Sequence, residues 1–212
     1  MNCLISSIHY CPVKSLSYQS LNSCNIKKNL GIINDRVFAF SRGIDLDKAK
    51  LIEKNPNERK LNHLLTLKNS PSLNKYNFVY KNDELSLIKN DEKLISISIN
   101  NLEEYSNLSN KLIELESSLL KPIFLLKNQA FPFFDTSHSN SVFNSMSLIN
   151  LSSLKDFELK INKKIEFQRF RGNFYVDGID AWEERKWINK TIKINNISFK
   201  VEKNIPRCVA IN

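Results

Sequence analysis

The chain has 212 residues, 42% of them hydrophobic and 25% charged, with a formal net charge of +9. That length and balance suit one large or two small globular domains and exclude an intrinsically disordered chain. No apolar run approaches the roughly 18–20 residues that a membrane-spanning helix needs. The start, MNCLISSIHYCPVKS, lacks the basic flank and apolar stretch of a secretion signal, so a cytoplasmic protein with no membrane partner is expected. The cysteines, Cys3, Cys11, Cys24 and Cys208, form no C-x-x-C pair; that excludes a zinc knuckle or thioredoxin-like motif and leaves free thiols in a reducing compartment.

In chain order, RVFAFS (36–41) reads as a buried strand. FVYKNDELSLI (78–88) is a hairpin turning at Asn82-Asp83, and the strand that follows turns again at Asn90-Asp91, with Ile95, Ile97 and Ile99 on one face. Leu102, Tyr105, Leu108, Leu112, Leu115 and Leu119 recur at helical spacing, and Pro122 is positioned to end that helix. A seam near residue 121 divides the chain into an expected 1–121 domain and 122–212 domain. A shorter helix begins after Asn150 as N-cap, with Leu151, Leu154 and Phe157 facing inward. RGNFYVD (171–177) reads as a second buried strand, Trp182–Trp187 as a helical turn, and 191–203 as a hairpin around Asn195-Asn196 with Ile192, Ile194, Ile197, Phe199 and Val201 inward. The fold class this predicts is mostly β with some α, an α+β protein with one long helix over 102–120.

Lysine outnumbers arginine 24 to seven, and the lysines are spread evenly with no block of like charge. The positive balance therefore reads as a solvated surface rather than a polyanion-binding face, although a basic nucleic-acid-binding barrel stays as an alternative. Only four glycines occur, and asparagine is abundant. Where asparagine serves turns, a glycine marks backbone freedom or close approach. Where lysine supplies bulk charge, an arginine marks a planar, permanently charged fork.

These scarce residues gather in four blocks. YCPVKSL (10–16) offers the ammonium of Lys14 and the hydroxyl of Ser15 after a proline. GIINDRVFAF (31–40) sets Asp35 beside Arg36 at the mouth of a strand. FQRFRGNFYVDG (167–178) alternates Arg169 and Arg171 about Phe170, which on a strand would aim both to one side. There Gly172 leaves room for a ligand, and Asn173 offers both donor and acceptor. In IPRCVAIN (205–212), Arg207 beside Cys208 favours the thiolate, the form that ligates metal. Taken singly, each block also fits an ordinary turn, ion pair or small buried thiol.

Together, and in this order, YCPVKSL, GIINDRVFAF, SMSLINLSSL, RFRGNFYVDGIDAWEE and IPRCVAIN resemble the MOSC family, named after the C-terminal domain of molybdenum cofactor sulfurase. The resemblance is strongest to bacterial proteins in which an N-terminal MOSC β-barrel domain precedes the MOSC domain proper, and more distant to the mitochondrial amidoxime-reducing component. It implies two packed β-barrel parts with a molybdenum cofactor, a pterin dithiolene bearing a phosphate, between them. It also implies a monomeric oxidoreductase that reduces an N–O bond in a small N-hydroxylated substrate, with electrons from a partner reductase or ferredoxin-like protein and no nucleic acid. A non-catalytic cofactor or sulfur carrier is the alternative within the same family, whose associations extend to pyridoxal phosphate.

By this resemblance Cys208 is the molybdenum ligand and the residue on which catalysis rests, a soft thiolate suited to that metal. Arg171 and Asn173 match the pair that holds the cofactor, with Arg207 beside them, and Lys14, Ser15 and Arg36 match residues reaching its phosphate end. Two features depart from the family pattern. Family reductases carry a Thr-Ser pair just before the short helix, where this chain reads VFNSMSL (142–148), and His138 upstream reads as a loop histidine. Family chains also continue past the Arg-Cys pair, whereas this sequence ends at Asn212, so PRCVAIN is expected to be the front half of a cofactor loop.

Overall fold

A computed structural model describes residues 3–134 and 146–205. The α+β class is borne out: about 28% of the structure is helical and 29% is strand, in several small sheets. No closed barrel occurs among the described residues. The backbone divides into two compact units, one of Met1–His9 with Met146–Asn212 and one of Tyr10–Ser145.

Strand β1 (Leu4–Tyr10) opens the chain. The Tyr10–Ser145 unit then carries β2 (Gln19–Leu21), β3 (Ile26–Lys27), β4 (Gly31–Ile32) and β5 (Phe38–Phe40). These are followed by α1 (Leu46–Lys54), β6 (Asn77–Lys81), β7 (Glu84–Lys89), β8 (Glu92–Ser98), α2 (Tyr105–Leu115) and β9 (Leu125–Lys127). The seam expected near residue 121 falls between α2 and β9, inside this unit.

The β6-β7-β8 meander follows the sequence pattern closely. Asn82 and Asp83 have φ of 51° and 60°, and Asn90 and Asp91 have 49° and 64°, so each two-residue turn takes the left-handed geometry that matches strand twist. The register is Leu85↔Ile97 and Leu87↔Ile95. Leu85, Leu87 and Ile97 are buried with Phe40, Phe78, Leu108 and Leu112 in one cluster, which packs α2 onto the meander. β5 pairs antiparallel with β9, Ala39 opposite Leu126, and so closes the core beside α1.

Helix α2 is shorter than the spacing predicts. Leu102 is exposed and lies in a 3-10 turn, Leu102–Glu104, capped by Asn101, whose side chain accepts from the Glu103 N–H at 3.1 Å. The helix stops at Leu115, well before Pro122, because the Glu116 carboxylate turns away to accept the Tyr76 hydroxyl (2.8 Å) and pair with Lys75 (2.5 Å). Leu119 is still buried, but on an irregular segment.

In the other unit, β10 (Leu148–Asn150), α3 (Leu151–Ile161) and β11 (Phe174–Asp177) form a β-α-β element, with β10 parallel to β11. β1 flanks β11 antiparallel, Ile8 opposite Phe174. Asn150 caps α3 by accepting from the Ser152 N–H at 3.0 Å, and Asn162 ends it in the left-handed region. Leu154 faces inward as expected. Phe157 does not: it is 37% exposed. The inward stripe continues instead to Glu158, whose carboxylate accepts the Ile165 N–H at 2.7 Å, leaving Phe157 on the flank. The expected turn appears as Glu183–Trp187. β12 (Thr191–Ile194) and β13 (Ile197–Lys200) make the last hairpin, with Phe199 against Phe174 at 6.4 Å. Ile197 sits beside the turn and is exposed rather than inward.

The Glu116 contact carries a pH signature. Burial alone would push its carboxyl up, but hydrogen bonds from Lys75, Tyr76 and Ser72 outweigh burial and hold it below the usual range. A depressed folded-state value stabilises the protein above the ordinary glutamate value of about 4.3, and that contribution fades as pH falls through the lower folded value. Glu116→Gln should therefore cost about 1–2 kcal/mol in urea melts at pH 7. The gap to the parent should narrow below pH 4; a gap independent of pH would rule this account out.

Candidate functional site

Within the Tyr10–Ser145 unit, the first two blocks are hydrogen-bonded neighbours. The Arg36 N–H donates to the Cys11 carbonyl (2.6 Å), the Phe38 N–H to that of Pro12 (3.0 Å), and the Lys14 N–H to that of Phe38 (2.8 Å). Val13 pairs with Phe38 in parallel. The turn that carries Lys14 and Ser15 is fixed by Ser17, whose hydroxyl accepts the Val13 N–H (2.8 Å) and donates to the Val13 carbonyl (3.0 Å). Lys14 is buried, a rare state for lysine.

Asp35 ties the two blocks together. It is 1% exposed; one oxygen accepts the Cys11 N–H at 2.8 Å, 24 residues away in sequence, and the other pairs with the Arg36 guanidinium. Burial would lower the Arg36 pKa, but the facing Asp35 carboxylate outweighs it and raises the value, so Arg36 stays charged. Its guanidinium lies 5.0 Å from the centre of the Phe134 ring. The backbone thus sets the Lys14–Ser15 turn beside the Arg36–Phe38 segment, and ammonium, hydroxyl and guanidinium are groups that bind phosphate. Phe134 carried no signal in the sequence, since its approach to Arg36 is purely tertiary.

In the other unit, the third block is a turn rather than a strand. Phe167–Phe170 is a 3-10 segment, and Arg171 ends it in the left-handed region, its N–H donating to the Gln168 carbonyl. The expectation that Arg169 and Arg171 share one side of a strand is thus corrected: β11 begins only at Phe174. The Tyr175 hydroxyl builds the turn, donating to the Phe167 carbonyl (2.9 Å) and accepting the Gly172 N–H (3.0 Å). Asn173 is buried; its amide oxygen accepts the Ser147 N–H and hydroxyl (3.0 and 3.1 Å), and its amide nitrogen donates to the His9 carbonyl (3.1 Å). It therefore fixes β1 and the 146–147 segment around the turn.

Gly172 is explained by packing. A Cβ there would lie 2.6 Å from Ile149 Cγ1 and 3.3 Å from Tyr175 Cζ. The room expected for a ligand is filled by these two side chains.

Backbone geometry separates the nominated residues from ordinary turns. Thirteen of the described non-glycine residues have positive φ, and nine of them are Asn or Asp, which tolerate that region. The remaining four are Ser15 (63°), Arg36 (56°), Arg171 (48°) and Trp182 (67°). Three of these four are residues that the motifs nominate, and such conformations cost of order 1–3 kcal/mol each and cluster at functional sites. Arg207 and Cys208 lie outside the described residues, as does His138. Among the described residues no group of three or more His, Cys, Asp or Glu side chains is arranged to hold a metal ion, and no helix is long and apolar enough to cross a membrane.

Comparison with known proteins finds a likeness in the C-terminal part of the chain, which holds the third and fourth blocks. Residues 135–212, the segment that holds Arg171, Asn173, Arg207 and Cys208, match the model of the MOSC domain. The bovine mitochondrial amidoxime reducing component 2 is 31% identical over 84 residues, 39% of this chain and 24% of the relative. The rat protein of the same name is 36% identical over 62 residues, 29% of this chain and 18% of the relative. The chain thus spans about a quarter or less of the length of these curated relatives. The MOSC resemblance drawn from the motifs is borne out over residues 135–212.

Gly172→Ala tests the packing of the third block. The added methyl must displace Ile149, so the variant should lose about 1–3 kcal/mol in thermal or chemical melts. Ile149→Ala removes Cγ1, so the double variant should lose less than the sum of the two single losses, whereas additive costs would place the constraint elsewhere.

Proposed function

We propose that this chain binds the molybdenum cofactor and supports reduction of N-hydroxylated small molecules. The observation that carries the reading is that Lys14, Ser15 and Arg36, far apart from the MOSC segment in sequence, sit on two segments hydrogen-bonded to each other through the backbone, with Ser15 and Arg36 in the left-handed region. In this reading those two segments cradle the cofactor's phosphate. Arg171 and Arg207 are cofactor residues by motif, and Asn173 sets the turn that carries Arg171. Cys208 is the protein's thiolate toward the metal.

When bound, the cofactor supplies the two-electron chemistry. The reaction consumes two electrons and two protons, R–NHOH giving R–NH2 and water, with the electrons drawn from a reductase or ferredoxin-like partner. The protein's part is to bind and orient: the guanidinium of Arg36 keeps its charge because Asp35 faces it, and the Lys14 turn is held by Ser17, so the cradle is preformed and loses little entropy on binding.

The test is molybdenum and pterin content per chain for protein made in a cofactor-producing host, beside turnover of a hydroxylamine or amidoxime with a chemical reductant. The parent should carry both and turn over. Arg36→Met should lose at least tenfold in cofactor content, and Cys208→Ser should retain pterin while losing turnover. Cofactor without turnover in the parent would favour a carrier over an enzyme. Salt-sensitive nucleic-acid binding with neither pterin nor molybdenum would overturn the proposal. Arg171→Gly adds a further check: the left-handed backbone suits glycine, so stability should change by less than about 1 kcal/mol while cofactor retention falls.

A further inference from the structure

Arg59 lies outside every block that the motifs nominate, yet it is among the most committed side chains in the Tyr10–Ser145 unit. Its Nε donates to the Ile52 carbonyl (2.8 Å), one terminal nitrogen to the Glu53 carbonyl (3.0 Å), and the other to the Pro132 carbonyl (2.9 Å). The first two acceptors belong to the last turn of α1, where carbonyls lack helical partners and the helix dipole favours a cation. The guanidinium also lies 4.0 Å from the centre of the Phe133 ring. Burial pushes the Arg59 pKa down to about 10, which leaves it protonated at neutral pH.

The segment it grips leads straight to the cradle. The Phe133 N–H donates to the Arg36 carbonyl at 2.7 Å, and the Asn128 N–H to that of Val37 at 2.9 Å. The next residue, Phe134, presents its ring to the Arg36 guanidinium. Asn128 ties the other end of the segment to α1, its amide donating to the Glu53 carbonyl at 2.6 Å. Arg36 is thus held from two sides, by Asp35 in its own turn and by 128–134, and the second hold depends on α1 through Arg59.

We infer that Arg59 is a positioning residue for Arg36: it clamps the 128–134 segment to the end of α1, and so fixes the backbone and aromatic surface against which Arg36 is set. This rests on the reading of Arg36 as a cofactor residue. Lysine cannot replace it, because one ammonium cannot reach three carbonyls in the fork geometry while stacking on Phe133.

The experiment compares Arg59→Lys, Asn128→Ala, Arg36→Met and a core control, Ile97→Val, all in the full chain. Each is read by melting temperature, by the NMR signal of the Arg36 Nε–H, and by pterin retained after dialysis. Arg59→Lys should shift or broaden the Arg36 signal and lower pterin retention at least fivefold; Ile97→Val should do neither, even where its melting temperature falls as far. Asn128→Ala loosens the same segment and should give the same pattern, so the test survives if Arg59→Lys does not fold. An unchanged Arg36 signal in Arg59→Lys, or in Asn128→Ala if Arg59→Lys does not fold, overturns the inference, as does equal pterin loss in Ile97→Val. If Arg36→Met retains pterin like the parent, the cofactor reading fails instead, and the Arg36 signal still decides whether Arg59 positions it.

Discussion

The Asp35 carboxylate is the contact on which the cationic element depends. It is buried, and both of its oxygens are committed, one to the backbone of the first block and one to the side chain of the second. A carboxylate out of water is tolerated only when paired and hydrogen-bonded, so the two partners and the acid stabilise one another. The parallel run of 11–14 beside 36–38 follows from that junction, and the Ser17 staple then shapes the turn at its end.

Much of this was readable in the sequence. The paired Asn-Asp turns, the alternation through β7 and β8, and the N-cap at Asn150 are local signals, and each appears where the pattern put it. The C-terminal end of α2 and the face of α3 depart from the periodicity for one reason. In both places a glutamate, Glu116 or Glu158, left its expected solvent position to satisfy a group distant in sequence or beyond the helix end, and no periodicity reports that. The same holds for Arg169 and Arg171: Tyr175 bends the chain into a turn by reaching back to Phe167 and Gly172, so alternation in sequence did not become alternation on a strand.

For the candidate site, the sequence supplied residue types and order, and the structure supplied conformation. The scarcity of arginine drew attention to Arg36 and Arg171, and both sit in backbone geometry that arginine disfavours. Scarcity alone did not reveal Arg59, because it carries no motif; its role depends on where α1 ends and where 128–134 passes. A residue that satisfies a helix end and a distant loop at once leaves no trace in spacing.

The reliance on Asn and Asp rather than glycine in tight turns also bears on how the protein ages chemically. Succinimide formation at asparagine or aspartate proceeds fastest when the next residue is glycine, whose bare backbone nitrogen attacks without hindrance. No Asn-Gly pair occurs in the sequence, and Asp177-Gly178 is the single Asp-Gly. At that junction the Gly178 N–H already points to Asp177 Oδ1 at 2.9 Å, on an exposed bend. The junction least hindered for that reaction therefore lies at the end of β11 and not in a hairpin turn of the β6-β7-β8 meander.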